Sequence, residues 1–197
     1  MVSRAEPHER IGILGGTFDP VHVGHLMDAC AARHQLALDR VLVVVARDPW
    51  QKHGRVVAPA EQRFEMLAAA IDGAVGLEAS RIELDRDGPT YTIDTVEQLT
   101  APGRELVLVM GSDVAGALDS WHRVDELREL VTLAIVDRDD APMPDPEGWR
   151  VVRLGVPRMQ LSSTDLRRRV AAGEPIEFLV PMPAVRVLRA HGLYSDS

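Results

Sequence analysis

The sequence predicts an α/β fold, a doubly wound and mostly parallel sheet with a small C-terminal helical extension. The apolar segments are near-continuous and rich in β-branched residues, which is typical of parallel strands covered on both faces. Segments with helical patterning alternate with them along the chain. Glycines, histidines or acidic residues follow several of these strands, and sheets of this type bind ligands beyond the carboxyl ends of their strands.

The strands are predicted where the apolar runs stand. The three clearest runs are residues 11–14, 41–46 and 106–110, and residues 130–136 form a fourth. A short fifth strand is expected near residues 151–154. These runs are too short for helices and lack the strict alternation of a sheet that faces water on one side.

Helices are predicted between the strands and after the last one. Each candidate shows an apolar period or a start signal such as a serine, threonine or aspartate. They cover residues 23–35, 60–72, 92–99, 166–172, whose start signals lie at 162–165, and 183–190. The acidic, proline-rich stretch 138–148 has no apolar period and is predicted to be a surface connection.

Length and composition restrict the class of protein. The chain has 197 residues, 46% of them hydrophobic, which suits one domain over residues 1–197, with a flexible N-terminus at 1–10 and a helical part at 162–197. The net charge of −8 disfavours partners such as nucleic acid or membrane surfaces. The single cysteine, Cys30, excludes an internal disulfide, and no apolar segment is long enough for a membrane span. We therefore expect small-molecule partners and a cytoplasmic location.

Residues 15–25 are the most informative segment for function. They read Gly-Gly-Thr-Phe-Asp-Pro-Val-His-Val-Gly-His and follow the first predicted strand directly. Gly15 and Gly16 are expected to take up backbone conformations closed to other residues and to allow close approach to the main chain. His22 and His25 are three residues apart, so they should share one face of the first helical turn, where the helix N-terminus favours anions. The segment predicts a phosphate-binding site.

Other interpretations of this segment are weaker. It lacks the Gly-Lys-Ser/Thr of a Walker A loop and the G-x-G-x-x-G spacing of dinucleotide-binding folds. A zinc site at His22 and His25 would lack further ligands nearby, so no metal ligands are predicted. An ordinary turn with two surface histidines is the remaining alternative.

These residues resemble the signature of the nucleotidyltransferase superfamily with the HxGH motif, in which both histidines bind a nucleotide triphosphate. The residue pattern is most similar to that of the nicotinate mononucleotide adenylyltransferase family. A second signature of that family resembles residues 161–167, Leu-Ser-Ser-Thr-Asp-Leu-Arg. Its serines and threonine suit a helix N-terminus that holds phosphate, with Arg167 as a charge clamp, although a plain helix cap would explain them too.

The resemblance implies roles for residues on the ATP side of the site. Lys52, the only lysine of the chain, follows the second strand. It resembles a lysine of the family that contacts phosphate at this position. Nearby Trp50 is either a loop anchor or a ligand contact. Asp113 resembles an aspartate near the nucleotide ribose, but it could also be a helix N-cap. The implied ATP-binding residues are Gly15, Gly16, Thr17, Phe18, Gly24, Gly111, Asp113, Ser162, Ser163 and Thr164, and the catalytic residues are His22, His25, Lys52 and Arg167.

On the acceptor side, residues 88–92 and 120–122 resemble segments that enclose a pyridine ring in the family. Trp121 would stack on the ring or pack in the core, and Tyr91 would touch the ligand or support its loop. Asp19 is either structural or on the acceptor side. The implied acceptor-binding residues are Asp19, Ala46, Thr90, Tyr91 and Trp121. Residues 45–48, Val-Ala-Arg-Asp, depart from the family pattern. In the family, this segment after the second strand helps to select the acceptor substrate.

The resemblance therefore implies transfer of AMP from ATP to nicotinate mononucleotide, with Mg²⁺ accompanying the triphosphate. The acceptor phosphate is already an anionic nucleophile, so positioning and charge neutralisation would suffice. Two alternatives stay open. One is transfer of an adenylyl or cytidylyl group to another phosphate monoester, such as nicotinamide mononucleotide or phosphopantetheine, and the other is a nucleotide sensor without turnover. The family often self-associates, so a homo-oligomer also stays open.

Overall fold

The computed structural model describes residues 8–48, 57–137 and 145–195. Six strands form one sheet in which every pairing is parallel, in the order β3-β2-β1-β4-β5-β6. The strands are β1 Glu9–Gly16, β2 Arg40–Val45, β3 Leu77–Ser80, β4 Arg104–Gly111, β5 Val131–Val136 and β6 Val151–Leu154. This confirms the predicted doubly wound sheet.

The α-helices connect these strands and cover both faces of the sheet. They are α1 Val23–Gln35, α2 Ala60–Ile71, α3 Thr92–Leu99, α4 Ser112–Ala115, α5 Val124–Leu130, α6 Ser163–Ala171 and α7 Met182–Ala190. One core cluster packs α1, α2, α6 and α7 on one face, and the other packs α3 and α5 on the opposite face. Successive strand residues alternate between the two clusters, which is why the strands read as continuous apolar runs.

The strand order reverses between β1 and β4, which are both central. The connection from β1 passes to β2 on one side, whereas β4 continues the sheet on the other side. A crevice opens at such a point beyond the carboxyl ends of the two strands. The predicted phosphate-binding segment follows β1 directly, so the fold places it at this crevice.

Several predicted boundaries are corrected. Glu9 and Arg10 belong to β1, so the predicted flexible N-terminus at 1–10 is wrong for these residues, and the side chain of Glu9 pairs with Arg104 at 2.7 Å. Leu130 ends α5 instead of beginning β5. Strand β3 and helices α4 and α5 were not predicted. Over the described ranges, no helix combines the length and the apolar character that crossing a membrane requires.

Candidate active site

A cavity lies at the switch point, beyond the ends of β1 and β4. It brings together eleven of the residues that the sequence motifs indicated, although they are spread over some 150 positions of the chain. They are Gly15, Gly16, Thr17, His25, Ala46, Thr90, Tyr91, Gly111, Asp113, Trp121 and Ser163. Glu83, Thr92, Thr95 and His122 line it as well and were not among the predicted site residues.

The glycine pair works differently from the prediction. Gly15 and Gly16 are the last residues of β1, and neither has the positive φ expected of a glycine-only conformation. The residue with the left-handed backbone is Phe18, at φ 50°. A Cβ on Gly16 would lie 2.9 Å from the Phe18 ring, whereas a Cβ on Gly15 would meet nothing within 4 Å. Gly16 therefore makes room for Phe18, and Gly15 leaves the cavity wall bare.

The two histidines meet at the start of α1. His22 is the N-cap residue, and its backbone N–H donates to Nδ1 of His25 at 3.3 Å. Their rings stack with centroids 3.6 Å apart and planes 19° from parallel. Because His25 Nδ1 accepts a hydrogen bond, its proton resides on Nε2, which makes Nε2 a donor suited to a phosphate oxygen.

His25 lines the cavity and His22 does not, since only 4% of His22 is exposed. Gly24 explains how the His22 ring is accommodated, because a Cβ there would lie 3.1 Å from that ring. The edge of Phe18 contacts His25, with ring centroids 4.9 Å apart. Gly24 and Phe18 therefore orient the histidine pair and do not line the cavity themselves.

Helix α6 brings the second motif to the first one. Ser162 is its N-cap, and the Oγ atom accepts from the Asp165 N–H at 3.1 Å, so the capping interpretation of this residue is correct. Ser163 lines the cavity and donates through Oγ to the Pro20 carbonyl at 2.9 Å. Arg167 donates to the Asp19 carbonyl at 2.7 Å and to Oγ1 of Thr164 at 3.3 Å. The two motifs are thus joined by protein hydrogen bonds.

Asp19 is not at the acceptor wall, which corrects that prediction. It is 2% exposed, and its carboxylate accepts hydrogen bonds from the N–H groups of Val57 at 2.9 Å and Ala58 at 3.1 Å. The Tyr194 hydroxyl donates to the same carboxylate at 2.7 Å, and Nη1 of Arg167 lies 3.5 Å from its Oδ2 atom. Burial and this neighbouring negative charge raise the pKa of Tyr194. Asp19 is structural, because its carboxylate is occupied by protein donors.

Arg63 holds the backbone around Asp19 and the end of β2, and the sequence patterns did not predict this role. It is 1% exposed and donates to four backbone carbonyls. The acceptors are Ala58, Thr17, Ala46 and Arg47, at 3.0, 2.7, 2.9 and 3.2 Å. Burial lowers the pKa of Arg63, and the charge of Asp19 opposes this effect. Arg63 is one of several charged residues in α2, so nothing in the sequence indicated that its side chain would be buried.

Aromatic and hydroxyl side chains also line the cavity. Tyr91 contacts His122, with ring centroids 4.3 Å apart. Trp121 packs on the α3 and α5 core cluster while lining the cavity, so stacking on a ligand and core packing are both compatible with its position. Asp113 is exposed at the cavity edge, and the N-cap of α4 is Gly111, which excludes the alternative role of Asp113 as an N-cap. Lys52 and Trp50 lie outside the described residues.

Comparison with known proteins identifies the relatives of the chain. A family model described as cytidylyltransferase-like matches residues 13–169. A probable nicotinate-nucleotide adenylyltransferase of Saccharopolyspora erythraea is 43% identical, covering 94% of this chain and 89% of the relative. A protein of the same description from Thermus thermophilus is 41% identical, covering 94% and 99%. Plasmodium falciparum nicotinic acid mononucleotide adenylyltransferase, solved in complex with NaAD, matches with a TM-score of 0.76 at 18% identity over 95% of this chain and 98% of that chain.

The parallel sheet, the switch-point cavity and the family model define the class of this protein, a Rossmann-like nucleotidyltransferase. Two relatives at 41% and 43% identity cover almost the whole chain and narrow the assignment. The chain belongs to the nicotinate-nucleotide adenylyltransferase family. The resemblance seen in the two sequence motifs is thereby confirmed.

Proposed function

We propose that this chain transfers the adenylyl group of ATP to nicotinate mononucleotide, with release of pyrophosphate and formation of deamido-NAD. The observation that carries the proposal is one cavity lined by two chemically different sets of residues. His25 and Ser163 come from the starts of α1 and α6, whereas Thr90, Tyr91 and Trp121 supply hydroxyl and aromatic side chains. Such a cavity suits a polyphosphate beside a flat heteroaromatic ring.

The reaction needs no protein nucleophile. A phosphate oxygen of the acceptor attacks the α-phosphorus of ATP, a new P–O bond forms, and the bond from the α-phosphorus to the bridging oxygen of the β-phosphate breaks. The electron pair leaves with pyrophosphate, so the protein has to align the two phosphates and neutralise charge. MgATP is the substrate form, with the ion held mainly by phosphate oxygens and water.

The proposal assigns His25 the contact with the phosphates through Nε2, while His22 supports its ring from the stacked position 3.6 Å away. The N-termini of α1 and α6 add favourable dipoles for the same anion. Arg167 adds a guanidinium beside them, which also pairs with the Asp19 carboxylate at 3.5 Å, and its side chain is 19% exposed. Lys52 remains a prediction from its place in the sequence. An acidic chain whose substrates are ATP and a mononucleotide suits the cytoplasm.

The test is pyrophosphate release from MgATP, measured in parallel with nicotinate mononucleotide, nicotinamide mononucleotide and phosphopantetheine. We expect the highest kcat/KM with nicotinate mononucleotide. The matched pair of variants is His25→Ala and His34→Ala, because His34 lies on the same helix but is exposed and far from the cavity. Only His25→Ala should lose turnover. Binding of ATP without pyrophosphate release from any acceptor would favour a nucleotide sensor and refute the proposal.

A further inference from the structure

Glu83 is a buried carboxyl group that lines the cavity and has no part in the phosphate chemistry. It lies between β3 and α3 and is 8% exposed. The Thr95 hydroxyl donates to Oε1 at 2.8 Å. Within the described parts of the chain, Oε2 takes no hydrogen bond from the protein. A carboxyl group with one oxygen anchored and the other uncommitted can interact with a ligand that enters the cavity.

The charged and titratable groups around Glu83 have opposing effects. Arg86 approaches from the loop before α3, with Nη2 3.4 Å from Oγ1 of Thr95, and Asp94 lies in the first turn of α3. Tyr91, His122 and Asp113 line other parts of the same cavity. Burial dominates and raises the pKa of Glu83 to about 7, against the lowering effects of the Thr95 hydrogen bond and of the Arg86 charge, whereas Asp94 raises it further. Both protonation states are therefore accessible near neutral pH.

The place of Glu83 relates it to the acceptor. It lines the same cavity as Thr90, Tyr91 and Trp121, the residues to which the proposed function assigns the pyridine ring. The two candidate acceptors differ there in charge, since nicotinate carries a carboxylate and nicotinamide a neutral amide. An ionised Glu83 would repel a ligand carboxylate beside it, and a protonated Glu83 would donate a hydrogen bond to that carboxylate.

We propose that Glu83 is a specificity-determining residue that selects the acceptor by the charge of its pyridine substituent. In its protonated form it donates from Oε2 to the nicotinate carboxylate. In its ionised form it accepts from the amide N–H of nicotinamide mononucleotide. This inference rests on the proposed function and adds a pH-dependent acceptor preference to it.

The test measures kcat/KM for both mononucleotides between pH 5.5 and 8.5, and the readout is the ratio of the nicotinate value to the nicotinamide value. Both acceptors carry the same phosphate, so its titration cancels in the ratio. We expect the ratio to fall by up to tenfold per pH unit, which is the limit for one proton. In Glu83→Gln the amide can donate at every pH and still accept from Thr95, so the ratio should be flat and should favour nicotinate at high pH.

Two control variants separate the effect of Glu83 from the effects of other side chains. Glu78→Gln removes a carboxyl group on β3 whose side chain is 55% exposed, and we expect the wild-type slope there. His122→Gln removes an imidazole that lines the same cavity and contacts the Tyr91 ring. A flat ratio in His122→Gln together with a preserved slope in Glu83→Gln would assign the effect to His122 and overturn the proposal.

The wild-type profile decides the matter even if Glu83→Gln does not fold. A pH-dependent ratio that persists in His122→Gln supports the role of Glu83 in acceptor selection. A flat wild-type ratio overturns that role. With a flat ratio and rapid turnover of nicotinate mononucleotide, the proposed function stands and only the role of Glu83 falls. If neither mononucleotide yields pyrophosphate at any pH, both fail.

Discussion

Replacing Asp19 by asparagine should destabilise the fold through a hydrogen bond that the amide cannot replace. The carboxylate accepts from the Val57 N–H and from Arg167 on one oxygen, and from the Ala58 N–H and the Tyr194 hydroxyl on the other. An asparagine has a single acceptor oxygen. In its better orientation it keeps Ala58 and Tyr194 and turns its own N–H₂ group toward the Val57 N–H and Arg167, so that donors face donors.

The magnitude follows from these contacts. A buried donor left without an acceptor costs about 1–3 kcal/mol, and the two remaining bonds weaken because their acceptor is now neutral. We therefore expect Asp19→Asn to lower the free energy of unfolding by about 2–4 kcal/mol. For a chain of this length, each kcal/mol shifts Tm by roughly 2–4 °C, so the midpoint should fall by about 4–16 °C.

The assay is thermal and urea unfolding followed by circular dichroism, with Asp72→Asn as the control at an exposed helix end. The control should stay within about 0.5 kcal/mol of the wild type. Tyr194→Phe should cost about 1 kcal/mol. Because it shares a hydrogen bond with Asp19, the double variant should lose less than the sum of the two. A stable Asp19→Asn protein with a raised KM for the acceptor would refute this reasoning and restore the acceptor-binding role.

The other predictions concern the histidine, the glycine pair and the buried carboxyl group. His25→Ala should lower kcat by about 10²- to 10³-fold with an unchanged unfolding midpoint, in line with loss of a donor to transition-state oxyanions. Gly16→Ala should destabilise the fold because its Cβ would lie 2.9 Å from the Phe18 ring. Gly15→Ala should leave stability unchanged and raise the KM for substrate, because Gly15 lines the cavity and a Cβ there meets nothing within 4 Å. Equal unfolding midpoints for the two variants would contradict this difference. Glu83 has a folded-state pKa of about 7, above its value in the unfolded chain, so its contribution to stability is present at acidic pH and is lost as pH rises toward 7. Unfolding of the wild type and Glu83→Gln between pH 4.5 and 7.5 should show a smaller loss in the variant, and parallel profiles would refute the burial argument.

The sheet was predictable because its strands are covered on both faces. Such strands must be apolar throughout, and the run at 106–110 is visible without any knowledge of its neighbours. The ends of the strands were not visible, since Glu9 and Arg104 are held by an ion pair between two strands. Strand β3 lies at the sheet edge, and Leu77 is its only buried residue. Helix α5 buries only Leu127 fully, so its seven residues carry little periodic signal.

The candidate site was predictable where a motif faces the cavity. Residues such as His25 and Ser163 came from two local patterns, and the resemblance to a family linked patterns that lie far apart in the chain. Their contact depends on the hydrogen bond from Ser163 to the Pro20 carbonyl, across 143 positions. Spacing alone could not indicate this contact. Glu83 was missed because its burial arises from the packing of α3 against the residues that precede it.

The buried charges explain why motif residues and positioning residues differ. Burying an arginine costs several kcal/mol unless its donors are satisfied. Arg63 donates to four carbonyls and so avoids this cost. Two of these carbonyls belong to Thr17 and Ala46, which line the cavity. Asp19 completes the arrangement with the opposite charge and holds the N–H groups of Val57 and Ala58. Backbone carbonyls satisfy Arg63, and backbone N–H groups together with Tyr194 and Arg167 satisfy Asp19; these partners come together only in the folded chain. A sequence pattern can therefore indicate the groups that face a ligand, whereas the groups that hold them in place become recognisable only through the hydrogen bonds of the tertiary structure.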